Sequence, residues 1–234
     1  GEVVYGLRTL GEKMGAFGDA LVVCKVDLTQ AFDKLSHTAI IAFLVKRGVP
    51  RDLVDAVMRE YLDSEAEFIT PWGSVLGPVP LLCGVRQGDP LSAELFTAVL
   101  ADVLEGLHAE WVEAGLCVDC DLDDPAVQHL THMCFADDIY LLCKHPAHLT
   151  VMLAGLAARL ATIGLELNVR KTQYAQNDWC GSVVAPVFAG IPVPRAPGDS
   201  LLVLGSRITL DGQSHEDLKH RLSCAWKAFW KHHA

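Results

Sequence analysis

The sequence predicts an α+β fold, and three observations carry that prediction. An apolar run from Ala20 to Val26 is built like a buried strand and stops at a carboxylate, Asp27. The stretch Met133 to Cys143 has strand-prone arms on either side of two adjacent carboxylates, Asp137 and Asp138, and reads as a tight hairpin with the pair at its bend. Elsewhere, long stretches repeat their apolar residues at helical spacing.

The chain has 234 residues, is 51% hydrophobic and 21% charged, and can bury one sizeable core or two small lobes. It starts with Gly and enters helix-like material at once, as expected of a segment from a longer chain. No signal peptide is visible, and no apolar run reaches the roughly 18 residues of a membrane span. The longest candidate, Leu149 to Leu167, is interrupted by Arg159, Gly164 and Glu166. A formal net charge of −10 runs against the basic face that phosphate-backbone binding usually needs, unless basic residues lie elsewhere in a parent chain. The eight cysteines are scattered, several inside apolar runs where Cys acts as a small hydrophobe, which points to a reducing intracellular compartment.

Taken in order, residues 1–20 form a helix with Val4, Leu7, Leu10 and Met14 spaced on it, ending at Gly15, Gly18 and Asp19. After the strand to Val26, Asp27 either meets a ligand at the sheet edge or opens a turn or the next helix. The pattern predicts one helix from Asp33 to Arg47, stopped by Gly48-Val49-Pro50, and a second from Asp52 to Tyr61. Residues 67–82, punctuated by Gly and Pro, read as short strands and turns. Gly84 to Ser92 then opens a long helix that ends near Gly115, with Asp89 as its N-cap and Pro90 at its first position. A Gly-flanked loop at a helix N-terminus suits a phosphate or nucleotide.

Cys117 and Cys120, with His129 and His132 downstream, have one pair at zinc spacing. The His pair is closer than usual and the intervening loop is short, so a surface hairpin competes with a zinc site. The carboxylate pair Asp137 and Asp138 repels itself in an apolar setting unless a divalent cation compensates it, although Asp-Asp also suits an ordinary solvated turn. An amphipathic helix spans residues 148–163, a strand and turn exposing Asn168 and Lys171 follows, and residues 175–200 are irregular. Residues 201–208 form a strand broken by Gly205, and residues 215–233 form a basic, aromatic helix.

Four stretches occur in one order: Asp27-x-x-x-Ala31-Phe32-Asp33, Arg86-Gln87-Gly88-x-Pro90-Leu91-Ser92, Phe135-Ala136-Asp137-Asp138, and Gly164-Leu165-x-x-Asn168-x-x-Lys171-Thr172. Together they resemble motifs A to D of reverse transcriptases, most closely the non-LTR retrotransposon type, over nearly the whole chain. The resemblance implies a polymerase palm, an antiparallel sheet backed by helices, with partial fingers over residues 1–210 and the start of a thumb helix over 211–234. Leu202 to Gly205 resembles a reduced primer-grip hairpin. In that reading Asp27, Asp137, Asp138 and the Leu28 carbonyl hold two Mg²⁺ ions, with Mn²⁺ as the substitute. Phe32 is the steric gate against a ribose 2′ hydroxyl, Arg86, Gln87 and Gly88 border the incoming nucleotide and template, and Lys171 is either the general acid for pyrophosphate or a solvent-facing lysine. The implied partners are an RNA template, a DNA primer and deoxynucleoside triphosphates, without a membrane, and further domains of a parent chain. Ala93 stands where the family often has Pro, and the acidic charge and short N-terminal region also suit an inactive remnant or nucleic-acid-binding fragment.

Overall fold

The computed structural model describes residues 2–62, 64–73, 75–120, 128–181, 184–211 and 215–233. In chain order the elements are α1 (Glu2–Phe17), β1 (Val22–Val26), α2 (Ala31–Lys34), α3 (His37–Lys46), α4 (Arg51–Leu62), β2 (Glu65–Ile69) and β3 (Val75–Pro80). They continue with α5 (Pro90–Glu113), β4 (Val118–Asp119), β5 (His129–Leu130), β6 (His132–Phe135), β7 (Asp138–Cys143), α6 (Pro146–Thr162) and β8 (Gln173–Gln176). Last come β9 (Val187–Phe188), β10 (Ile191–Pro192), β11 (Ser200–Val203), β12 (Ser206–Thr209) and α7 (His215–His233). The chain divides into two compact units, one of residues 1–27, 108–155 and 168–234, the other of residues 28–107 and 156–167.

The first unit is built on a four-stranded antiparallel sheet in the order β6-β7-β1-β8. Strand β1 is central because its five residues are almost entirely apolar and can be covered on both faces. On one face Leu21, Val23, Tyr140, Leu142 and Ala175 pack with Leu7, Leu10 and Met14 of α1 and with Leu201, Val203 and Ile208 of the β11–β12 hairpin. Side chains buried as fully as Leu7 and Leu21 each contribute about 1.5–3 kcal/mol from leaving water. At its first turn α7 is anchored by Asp217, whose carboxylate accepts from the Arg207 N–H at 2.8 Å and meets Arg8 at 2.6 Å and Arg221 at 3.0 Å. Burial alone would raise the pKa of Asp217, but these donors and cations hold it below the usual carboxylate range.

The second unit holds α2, α3, α4, the β2–β3 hairpin and the N-terminal part of α5. Here one expectation is corrected. The single helix over residues 33–47 is two, because Leu35 and Ser36 are extended. Their backbone groups are drawn into longer-range bonds: the Gly84 N–H donates to the Leu35 carbonyl at 2.8 Å, and the Ser36 N–H donates to the Ile163 carbonyl at 2.9 Å. The strand expected before Lys171 also differs. Leu167 makes an isolated bridge to Leu28, residues 168–171 turn, and the regular strand is β8, just beyond.

Candidate active site

The register of the central strands places the carboxylates. Val26 pairs with Ile139 and Lys25 with Tyr140, so Asp27 and Asp138, one position further on, leave their strands side by side on the face that also carries Lys25. The Asp pair is divided between turn and strand rather than sharing the bend. Phe135 pairs with Asp138, leaving Ala136 and Asp137 as a two-residue turn, with Ala136 at φ +53°. Asp137 is exposed, while Asp27 and Asp138 are half-buried.

Cations already sit at two of these carboxylates. Lys25 Nζ lies 3.1 Å from Asp138 Oδ1, and Lys171 Nζ lies 3.9 Å from Asp27 Oδ2 from an exposed side chain. The backbone around Asp27 is fixed by the turn after Leu167. Its N–H donates to Thr172 Oγ1 at 3.2 Å and its carbonyl accepts from the Asn168 N–H at 2.7 Å, while the Thr172 hydroxyl donates to the Asn168 carbonyl at 2.9 Å. Thus Asn168 and Thr172 brace Asp27. Burial, followed by the charge of Asp138, pushes the Tyr140 phenol far up, so it stays protonated beside the carboxylates.

The remaining expected site residues lie in the second unit. Leu28 bridges Leu167. The ring of Phe32, on the single turn of α2, stacks on Phe96 of α5 with centroids 4.6 Å apart and planes 19° apart. Phe96 is fully buried, so Phe32 rests on a rigid support. The Val85 N–H donates to the Phe32 carbonyl at 2.7 Å, and Gln87 Nε2 donates to Asp33 Oδ1 at 3.1 Å, which ties the loop before α5 to α2. Gly88 has φ +89° and open space where a side chain would be.

The Arg86 guanidinium donates to the Glu60 carbonyl at 2.7 Å and to Ser64 Oγ at 2.8 Å. One expectation for this loop changes. The N-terminus of α5 is not an open anion site, because Asp89 Oδ1 accepts the Leu91 N–H at 3.1 Å and sets a carboxylate where a phosphate would bind. The four-residue zinc arrangement is not formed either. Cys117 and His129 come together with Asp119, whose Oδ1 lies 2.8 Å from His129 Nδ1 and which Lys144 also engages. His132 turns inward beside His108 and Trp111, and desolvation followed by the charge of His108 pushes its pKa down to about 4.

The family described as "Reverse transcriptase (RNA-dependent DNA polymerase)" matches residues 4–205. The chain belongs to the reverse transcriptase family. A Pol polyprotein of a type-1 R2 retrotransposable element from Popillia japonica is 29% identical over 179 residues, covering 76% of this chain and 27% of the relative. The corresponding polyprotein of the R2DM element from Drosophila melanogaster is 33% identical over 149 residues, covering 64% of this chain and 13% of the relative. These relatives and the four motif stretches make this a reverse transcriptase domain of the non-LTR retrotransposon type, spanning about a quarter or less of those relatives' length. Among solved structures, apo telomerase from Candida tropicalis has a TM-score of 0.56 at 12% identity, covering 90% of this chain and 35% of that one. Telomerase from Candida albicans with a fragment of telomeric RNA has a TM-score of 0.52 at 14% identity, covering 83% of this chain and 32% of that one. That likeness is one of fold, a palm-like α+β arrangement.

Sequence reasoning missed three supports: in the second unit Phe96 beneath Phe32, and in the first Thr172 beneath Asp27 and Lys25 against Asp138. For Lys25 the signal was present, a lone charge in an apolar strand two residues before Asp27 and therefore on its face.

Proposed function

We propose that this domain performs RNA-directed DNA synthesis for a retroelement, adding deoxynucleotides to a primer 3′ end on an RNA template. The observation that carries the reading is the register that brings Asp27 beside Asp138 at the start of β7, next to Asp137 in the turn. The donor set suits hard divalent ions: exposed or half-buried carboxylates at strand ends, two of which already draw lysine ammonium groups to within 3.1 and 3.9 Å. Asp27, Asp137 and Asp138 would hold two Mg²⁺ ions, or Mn²⁺ in their place, with the Leu28 carbonyl as a further donor. When bound, they supply activation of the primer hydroxyl and neutralisation of the leaving pyrophosphate.

The chain's own groups do the positioning. Thr172 and Asn168 fix the backbone of Asp27 so that its carboxylate needs little rearrangement. Phe32, stacked on Phe96, would be the gate against a 2′ hydroxyl, and Arg86, Gln87 and Gly88 would border nucleotide and template, Arg86 also bracing their loop to α4. Lys171, exposed and with Nζ 3.9 Å from Asp27 Oδ2, would give a proton to pyrophosphate. A reducing intracellular setting suits thiols such as Cys24, fully buried in β1 as a packing group.

The test is primer extension on an RNA template with Mg²⁺ and all four deoxynucleotides, comparing the chain with Asp27→Asn and Asp137→Asn. Extension by the wild type that both substitutions abolish supports the reading. A folded wild type that gives no extension, alone or within its parent polyprotein, favours an inactive remnant.

A further inference from the structure

We propose that Lys25 is a positioning residue, an internal counter-cation that pairs with Asp138 and ties it to the β11–β12 hairpin, so that Asp138 engages a divalent ion less readily than Asp27 and Asp137 do. The proposal rests on the reading of these aspartates as metal donors. Lys25 stands in a strand whose other residues are apolar, with its side chain 26% exposed. A partly desolvated ammonium there is unfavourable unless it is paired. Its Nζ has two partners in different elements, Asp138 Oδ1 at 3.1 Å and the Leu202 carbonyl at 3.1 Å. Its Nζ also lies over the Tyr140 ring, 5.9 Å from the centroid. Two partners and the ring hold the ammonium, and the ammonium holds the carboxylate.

Leu202 itself is held in a short hairpin, Leu202 pairing with Arg207 and Val203 with Ser206 across a turn in which Leu204 and Gly205 have φ +46° and +80°. The Lys25 bridge therefore makes the orientation of Asp138 depend on that hairpin. A fixed positive charge beside the carboxylates also opposes a divalent cation, so removing it strengthens ion binding and releases Asp138 as an added donor. A lysine that merely filled space would have no such effect.

The experiment measures Mn²⁺ binding by electron paramagnetic resonance of the free ion, on chains whose circular dichroism and thermal midpoint match the wild type. Asp137→Asn is expected to weaken binding. Lys25→Met, and Lys25→Gln, which removes the charge but retains a donor for the Leu202 carbonyl, are expected to tighten it roughly threefold or more. Lys25→Arg is expected to leave it near the wild-type value, and Lys25→Gln is expected to lose most of its gain when combined with Asp138→Asn. If Asp137→Asn weakens binding but neither neutral Lys25 variant strengthens it, the Lys25 proposal is wrong and the metal reading stands. If neither Asp27→Asn nor Asp137→Asn weakens Mn²⁺ binding, the metal reading fails and the proposal falls with it.

Discussion

Gly84 and Gly88 form a controlled pair for measuring what close backbone approach demands of the loop before α5. Both sit in the left-handed region, at φ +90° and +89°, so an alanine at either suffers comparable backbone strain, about 1–3 kcal/mol. They differ in their surroundings. A Cβ on Gly84 would lie 2.6 Å from the Asp33 carbonyl oxygen and 2.8 and 2.9 Å from the Asp33 C and Cα, whereas one on Gly88 meets nothing within 4 Å. The obstacle is backbone and cannot swing aside, so relief requires parting the loop from α2. That separation strains the Gly84 N–H bond to Leu35, the Val85 N–H bond to Phe32 and the bond between His37 Nε2 and the Gly84 carbonyl at 2.8 Å. Overpacking of this kind adds about 1–3 kcal/mol. Gly84→Ala is therefore expected to destabilise the fold by about 1–3 kcal/mol more than Gly88→Ala in urea unfolding followed by far-ultraviolet circular dichroism. Equal losses for the two variants would show that the contact with Asp33 does not constrain the loop.

Other outcomes follow from the same structure. His132 is held neutral, with its folded pKa depressed to about 4 from an unfolded value near 6.5. Its stabilising effect is complete above the unfolded value and is lost as the pH falls towards the folded one, about 2–3 kcal/mol in all. His132→Gln should flatten the pH dependence of urea midpoints between about pH 7 and about pH 4, and an unchanged slope would count against it. Asp217→Ala leaves the Arg207 N–H and Arg8 without their carboxylate and should cost about 3 kcal/mol, seen as faster tryptic cleavage in α7 at Lys219 and Lys227; protection equal to wild type would argue against the anchor. Phe32→Ala should raise incorporation of ribonucleotides relative to deoxynucleotides in primer extension, and unaltered selectivity would remove Phe32 as the gate.

The parts of the fold that could be read in the sequence are those whose cause is local. The apolar run into Asp27, the two arms around the Asp pair, and Asp89-Pro90 opening α5 each carry their signal within a few residues. The break between α2 and α3 could not be read, because partners at Gly84 and Ile163 make it. Strand β8 was hidden in the polar run Gln173-Tyr174-Ala175-Gln176, whose burial comes from pairing with β1. The contacts that Arg86 makes with Glu60 and Ser64 could not be read either, because those partners lie more than twenty residues earlier in the chain. Cys120 and His132 suggested ligands by spacing, yet the strand pairing that sets Asp119 opposite His129 brings in a carboxylate instead.

The central place of β1 bears on how such a chain comes off the ribosome. Its strand partners are supplied more than a hundred residues later, so until they are made Val22 to Val26 waits with both edges unpaired. A nascent chain in that state exposes a short apolar strand to aggregation and has Asp27 with no neighbouring Asp pair. The acidic cluster thus comes into being with the closing of the sheet, a late and long-range event, and an ion that binds it selects for chains that have completed that step.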